Sequence, residues 1–178
     1  MKAFPSVLVA LLLLSLFSVD ATLEETCKEL AKPEHEINFD FCMTTLQVVP
    51  GSDKADDLGL TIIAANLTYI NFTHNQAKAE ELINDKNVSE EDKKSLAVCH
   101  ELYDLGAYTL LHYVIKDLGS PPIDFDKLKV DLSGVWDDAS TCNDTWNEGK
   151  QKSLMAKEDD DAYKISNLAL SVSTLIHH

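Results

Sequence analysis

Apolar residues in this chain recur at alternating intervals of three and four positions, which places them on one face of an α-helix. The clearest case lies between residues 128 and 146. Its apolar stripe consists of Leu128, Leu132, Val135, Ala139, Cys142 and Trp146. Polar residues such as Asp131, Asp137 and Asp138 occupy positions between them. The pattern predicts a helix with one buried and one solvated face, packed in a bundle, with Cys142 directed at a neighbouring helix.

Three further long helices are predicted: one over about residues 58–83, one that begins at Ser89, and one that begins near residues 159–161. Their stripes are, in order, Leu60, Ile63, Leu67, Ile70, His74 and Ala77; Leu96, Cys99, Tyr103, Gly106, Leu110 and Tyr113; and Ile165, Leu168, Val172 and Leu175. Gly106 lowers helix propensity, which is tolerable where a neighbouring helix approaches closely. Gly149 is predicted to end the third long helix, and the acidic run 158–161 to form a solvated helix start.

Two short helices are predicted before the long ones. The first spans about residues 22–31 with Thr22 as its cap, and the second spans about 38–49 before the breaker pair Pro50-Gly51. Each contains one cysteine and one apolar face. The predicted fold class is therefore all-α: an up-down-up-down four-helix bundle over residues 52–178, preceded by a disulfide-tied helical hairpin over residues 22–51.

Residues 1–21 have the composition of a signal peptide. Lys2 gives a positive start, residues 7–17 form an apolar run, and Ala21 offers a cleavage site. We expect cleavage after Ala21 and a secreted mature chain over residues 22–178. No second long apolar run follows, so no membrane span is expected.

The four cysteines, Cys27, Cys42, Cys99 and Cys142, all follow the predicted leader. An even count in a secreted chain indicates two disulfides, for which three pairings are arithmetically possible. Cys99 and Cys142 both lie within long stripes and are expected to join neighbouring helices. Secretion also makes the sequons at Asn66, Asn71, Asn87 and Asn143 candidate glycosylation sites, with Asn87 favoured because it lies in a predicted turn.

The charge and the missing catalytic motifs exclude several classes of function. The formal net charge is −15 and the chain contains no arginine, which argues against binding to nucleic acid or to anionic membranes. An acidic surface suits a basic partner or simply keeps the protein in solution. The sequence has no nucleophile elbow, phosphate loop or zinc-protease helix, and no histidine pair at helical spacing. We therefore expect no enzyme activity, no metal site and no cofactor.

The cysteines and their neighbours resemble the plant invertase and pectin methylesterase inhibitor family, which includes pollen allergens. The resemblance covers essentially the whole mature chain and rests on four segments: Thr26-Cys27-Lys28, Phe39-Asp40-Phe41-Cys42 with Thr45-Leu46, Cys99-His100-Glu101-Leu102-Tyr103, and Ala139-Ser140-Thr141-Cys142-Asn143-Asp144. It implies the pairing Cys27–Cys42 and Cys99–Cys142. It also implies a monomeric inhibitor that blocks the active-site cleft of a cell-wall enzyme.

In invertase inhibitors of this family a Pro-Lys-Phe motif, in a connection between bundle helices, reaches the enzyme's active site. The matching connection here is Ser120-Pro121-Pro122-Ile123-Asp124-Phe125, which has no lysine. Acidic groups of a glycosidase cleft would repel Asp124. The resemblance thus implies partner binding by residues 120–125 and favours the esterase as target, in the apoplast. The alternative is a small-ligand-binding or defence-related bundle, such as a pollen allergen, without inhibitory activity.

Overall fold

The computed structural model describes residues 22–35, 37–148 and 152–176. The predicted leader and the predicted helix end at Gly149 lie outside these residues. All regular elements of the described part are helical. Their bounds are α1, Leu23–Leu30; α2, Phe39–Leu46; a 3₁₀ turn, Ser52–Lys54; α3, Asp57–Asn84; α4, Glu90–Thr109 continued by a π-helical turn Leu110–Val114 and the segment Ile115–Leu118; α5, Phe125–Glu148; and α6, Ala156–Thr174.

The four long helices form the predicted up-down-up-down bundle. Helix α3 packs against α4 and α6, and α5 packs against the same two helices, so the four enclose one core. The hairpin of α1 and α2 contacts the start of α3 and, through α1, the last helix α6. None of the described helices is long and apolar enough to traverse a lipid bilayer. The all-α prediction is confirmed.

Side-chain caps begin most of the helices. The capping residues are Thr22, Asn38, Asp56, Ser89 and Asp124, each of which accepts a hydrogen bond from the backbone N–H three residues later. Such caps satisfy donors that the helix itself leaves unpaired. Helix α6 has no side-chain cap and begins at Ala156, before the predicted start at residues 159–161. The acidic run thus lies within the helix.

The stripe of α5 is buried as predicted, since no member exposes more than 2% of its surface. The stripe predicted for α3 is buried at Leu60 and half-buried at Ile63 and Leu67, but it is wrong from Ile70 onward. Ile70 is 61% exposed and His74 and Ala77 face solvent. The buried face of α3 consists of Leu60, Thr61, Ala64, Ala65, Thr68, Phe72, Asn75 and Ala79. Polar residues can face inward here because they are hydrogen-bonded: the Thr68 hydroxyl donates to the Ala64 carbonyl at 2.8 Å.

The π turn changes which residues of α4 face the core. Leu96, Cys99, Tyr103, Gly106 and Leu110 are buried as predicted, but the next buried residue is Val114 and Tyr113 is 44% exposed. A π turn holds an extra residue, so it shifts the register of everything after it by one position. The second half of α4 therefore turns Tyr113 outward.

Both disulfides join neighbouring helices. Cys27 and Cys42 tie α1 to α2, with their Cα atoms 5.7 Å apart. Cys99 and Cys142 tie α4 to α5, with their Cα atoms 4.8 Å apart. All four cysteines are fully buried. Each pair therefore fixes one helix–helix contact in the core rather than a surface loop.

Gly106 allows α3 and α4 to approach closely, as predicted. A Cβ atom at this position would meet the ring of fully buried Phe72, with Cδ1 at 2.6 Å. Gly134 of α5 is also helical, but a Cβ atom there would meet nothing within 4 Å.

We expect Gly106→Ala to destabilise the fold by about 1–2 kcal/mol, because overpacking outweighs the gain of about 1 kcal/mol in helix propensity. The matched change Gly134→Ala should stabilise by up to about 1 kcal/mol. Chemical denaturation of both variants measures the difference. A neutral or stabilising Gly106→Ala would show that Phe72 can move aside.

Candidate functional site

The connection between α4 and α5 contains the predicted partner-binding residues 120–125. Ser120, Pro121, Pro122 and Asp124 are exposed, and the Pro121–Pro122 peptide bond is cis. Ile123 and Phe125 are half-buried and pack against the core. Asp124 caps α5: its Oδ1 accepts from the Lys127 N–H at 3.0 Å. The connection is thus anchored by apolar residues and presents its prolines to solvent.

A lysine does lie beside this connection, but it is already paired. Lys127 Nζ is 2.8 Å from Asp117 Oδ2 and 2.6 Å from Asp131 Oδ2, and it stands 5.2 Å from the centre of the Tyr113 ring. Hydrogen bonds to the two carboxylates raise the pKa of Lys127, so it stays protonated. Two neighbouring carboxylates therefore balance the charge of Lys127, whose side chain is 44% exposed.

Exposed aromatic and aliphatic side chains cover the adjoining part of α4. This aromatic surface consists of Leu105, Tyr108, Leu111, His112 and Tyr113, all exposed. The Tyr108 ring lies 4.3 Å from the His112 ring and 6.0 Å from the Tyr113 ring, centre to centre. The two tyrosines are 51% and 44% exposed. Rings of this kind combine an apolar body with a polar edge, which is why they are enriched at protein interfaces.

The sequence pattern did not predict the aromatic surface, because it placed Tyr103 and Tyr113 on the buried stripe of α4. That prediction holds for Tyr103, which is fully buried, but not for Tyr113. Tyr108 lies off the apolar stripe of α4, so its position in the sequence could have predicted that its side chain is exposed. Tyr113 lies on the stripe and is turned out by the π turn, for which the sequence holds no clear marker.

Lys127 joins the aromatic surface to the connection. It touches Tyr113 on one side and follows Asp124 by three residues on the other. Carboxylates of Asp117, Asp124 and Asp131 lie around this junction. An apolar centre with charged residues at its edge is the composition of a protein-binding surface.

A buried polar cluster lies inside the bundle next to the Cys99–Cys142 disulfide. Asp159 of α6 is fully buried and accepts hydrogen bonds from Tyr103 Oη at 2.7 Å and Ser153 Oγ at 2.6 Å. The prediction that residues 158–161 form a solvated start is wrong for this residue. Cys99, Cys142 and Asp159 come close enough to hold a metal ion, but both sulfurs are bonded to each other. The cluster is therefore structural.

Burial sets the protonation of this cluster. Removal from water raises the pKa of Asp159, although the hydrogen bonds from Ser153 and Tyr103 oppose the rise. The same burial, together with the Asp159 charge, raises the pKa of Tyr103 above its usual range, so its hydroxyl stays a donor. The Tyr103 hydroxyl and the Asp159 carboxyl are thus matched as donor and acceptor.

The four sequons differ in exposure. Asn66 on α3 and Asn87 in the turn before α4 are exposed, whereas Asn71 and Asn143 are half-buried. A cleft of about 440 Å³ also lies between the hairpin and α6. Its walls are formed by Ile37, Asn38, Phe41, Tyr163, Lys164 and Asn167. The cleft lies at the edge of the bundle rather than between its four long helices.

Comparison with known proteins identifies the family. The family model for plant invertase/pectin methylesterase inhibitors matches residues 21–172. The chain belongs to the plant invertase/pectin methylesterase inhibitor family. Members of this family are proteinaceous inhibitors and not enzymes themselves, in agreement with the expectation of no enzyme activity. The chain is 32% identical over 167 residues to a protein of Platanus acerifolia named "Putative invertase inhibitor", covering 93% of this chain and 90% of that protein.

Other relatives support the same assignment. A protein of Platanus orientalis with the same name is 32% identical over 152 residues, which is 85% of this chain and 87% of that one. A crystal structure of a pectin methylesterase inhibitor from Arabidopsis thaliana superposes with a TM-score of 0.61 at 18% identity, over 92% of this chain and 99% of that one. A mutant form of an Arabidopsis pectin methylesterase inhibitor gives a TM-score of 0.68 at 19% identity, over 82% and 95%. At such identities the structures establish the inhibitor-family fold alone.

Proposed function

We propose that this chain is a secreted inhibitor of a cell-wall pectin methylesterase rather than of invertase. It binds the enzyme through the connection 120–125 and the aromatic surface of α4. The proposal also includes cleavage of the leader after Ala21, a monomeric mature chain and location in the apoplast. Family membership supports an inhibitor with a protein target.

The observation that carries the choice of target is the pairing of Lys127. In the invertase inhibitors that this chain resembles, a lysine of the matching connection can pair with the acidic groups of the enzyme's cleft. In this chain Asp124 of the connection caps α5. Lys127, three residues later, pairs with Asp117 and Asp131. An acidic, aromatic surface suits a basic enzyme, with the charges accelerating encounter and the rings supplying affinity.

The test is inhibition of both enzymes by purified chain at mildly acidic pH. We expect inhibition of the esterase that weakens as salt rises, because exposed charges are screened within about 10 Å at 0.1 M. The double change Tyr108→Ala with Tyr113→Ala should weaken it by about tenfold or more, since truncating aromatic anchors is typically costly at an interface.

Val48→Ala is the matched control, because Val48 is an apolar residue exposed in the turn after α2, outside the aromatic surface. It should leave inhibition unchanged. Inhibition of invertase alone would refute the choice of target. Full inhibition by the double tyrosine variant would refute the proposed surface.

The cleft between the hairpin and α6 supports the second candidate, a small-ligand binder. Its walls combine the Phe41 and Tyr163 rings with two amides and Lys164. Binding of an apolar small molecule that shifts the melting temperature, with no inhibition of either enzyme, would favour this candidate.

A further inference from the structure

The solvent-facing side of α3 carries two large apolar residues on either side of a sequon. Ile62 is 36% exposed and Ile70 is 61% exposed. Asn66, also exposed, lies four residues after the first and four before the second, so the three share one face of the helix. This face is directed away from α4 and α6. Ile70 is therefore mostly open to solvent and Ile62 is partly open.

The side chain of Asn66 is already directed toward Ile62. Its Nδ2 donates to the Ile62 carbonyl oxygen at 2.7 Å. Side chains of a helix lean toward its N-terminus, which places this amide over the preceding turn. Nδ2 is also the atom to which an N-linked sugar is joined. A sugar attached there would begin beside Ile62, on the exposed face.

We propose that Asn66 carries an N-linked oligosaccharide that covers Ile62 and Ile70. The inference rests on the proposed secretion, because the donor is a lipid-linked oligosaccharide pyrophosphate of the secretory pathway. Asn66 Nδ2 forms a bond to the anomeric carbon of the first sugar. The bond from that carbon to the pyrophosphate oxygen breaks, the pyrophosphate leaves on its lipid, and Nδ2 loses one proton. The remaining N–H can still donate to the Ile62 carbonyl.

The position of the hydroxyl of Thr68, the third residue of the sequon, indicates when the sugar is added. In the folded protein Thr68 is fully buried, and its hydroxyl donates to the carbonyl oxygens of Ala64 at 2.8 Å and Ile165 at 3.3 Å. A transferase that reads this hydroxyl cannot reach it once α6 has packed on α3. The sugar is therefore added before the bundle closes, and it ends on the outer face when α3 turns Thr68 inward.

The other sequons lack this arrangement. Asn71 lies about 140° around the helix from Asn66 and is half-buried, with its Oδ1 accepting from Asn75 Nδ2 at 3.3 Å. Asn143 is half-buried next to the disulfide residue Cys142. Asn87 is exposed and open to modification, but it lies in a turn, without large exposed apolar residues four positions away. Asn66 alone among the four combines exposure with apolar neighbours.

The experiment is secretion of the full chain from eukaryotic cells, followed by glycopeptide mass mapping. We expect a glycan on Asn66. The variant Asn66→Gln should be retained longer on a hydrophobic-interaction column and aggregate at lower concentration than the parent protein. Asn87→Gln, the matched control, should not be retained longer. Adding Ile62→Lys and Ile70→Lys to Asn66→Gln should restore early elution, because the uncovered apolar surface is then gone.

The outcomes separate this inference from the proposed function. Secreted protein with an unmodified Asn66, or Asn66→Gln that elutes like Asn87→Gln, overturns the glycan cover and leaves esterase inhibition standing. A glycan on Asn66 without inhibition of the esterase supports the cover and refutes the proposed target. Chain that stays inside the cell without any glycan contradicts both.

Discussion

Replacing both Cys99 and Cys142 with alanine is expected to lower the free energy of unfolding by about 4 kcal/mol. In the chain-entropy model, a cross-link stabilises by restricting the unfolded chain, and the effect grows with the length of the loop it closes. This disulfide spans a sequence separation of 43 residues, whereas Cys27–Cys42 spans 15 and should contribute about 3 kcal/mol. The bundle disulfide should therefore matter more than the hairpin disulfide.

Thermal unfolding followed by circular dichroism measures both effects. For a chain of this size, about 4 kcal/mol corresponds to a fall of roughly 8–16 °C in melting temperature. The helical signal at low temperature should persist, because the buried stripe of α5 and its partners supply most of the core. The double variant of Cys27 and Cys42 is the control. A larger fall for the hairpin pair, or loss of helix at low temperature in the bundle variant, would contradict the expectation.

Sequence periodicity predicted the helices well where burial is purely apolar. The stripe of α5 is an example: large residues recur at helical spacing, and burial follows hydrophobicity directly. In α3 the same reasoning failed in the second half of the helix, because several inward positions hold Thr68 and Asn75 while Ile70 faces solvent. Whether a threonine can be buried depends on a hydrogen-bond acceptor nearby in space, and a sequence pattern does not contain that information.

The two parts of the candidate binding surface differ in how far the sequence could predict them. The connection 120–125 follows from prolines and a capping aspartate, which are local signals. The aromatic surface depends on the π turn at Leu110–Val114, which rotates Tyr113 outward. The paired state of Lys127 depends on Asp117, ten residues away across the connection, and on Asp131. The π turn has no clear sequence marker, and the Lys127–Asp117 contact crosses the connection, so the resemblance to a family motif could not reveal them.

The buried Tyr103–Asp159 pair gives the second large expected effect. Tyr103→Phe keeps the ring that packs edge-on against Phe72 at 5.2 Å, and removes only the hydroxyl that donates to Asp159. Of the two hydroxyl donors to Asp159, the variant then keeps only that of Ser153. A hydrogen bond to a buried charged group is worth about 1.5–3 kcal/mol, so the variant should lose up to this much stability where Asp159 is ionised. Tyr108→Phe, at an exposed ring, should change stability by less than about 0.5 kcal/mol.

The pH dependence distinguishes this hydrogen bond from a general packing defect. Burial raises the pKa of Asp159, so the native state holds its proton more tightly than the unfolded state does. The stability from this group is therefore complete below the unfolded pKa of about 3.9 and is lost as pH rises through the folded pKa. Without the Tyr103 hydroxyl the pKa of Asp159 rises further, and the loss becomes larger. The gap in stability between the parent protein and Tyr103→Phe should consequently widen with rising pH.

Denaturant unfolding of both proteins at pH 3.5 and pH 7 tests this. Asp138 also titrates in this range, because burial and the neighbouring Asp137 raise its pKa to about 6. The contribution of Asp138 is the same in the parent protein and in Tyr103→Phe, so it cancels when their stabilities are subtracted. We expect a smaller gap at pH 3.5, where Asp159 is largely protonated in both states, than at pH 7. An equal gap at both values would mean that the hydrogen bond from Tyr103 contributes the same whether or not Asp159 is ionised, which contradicts the expectation.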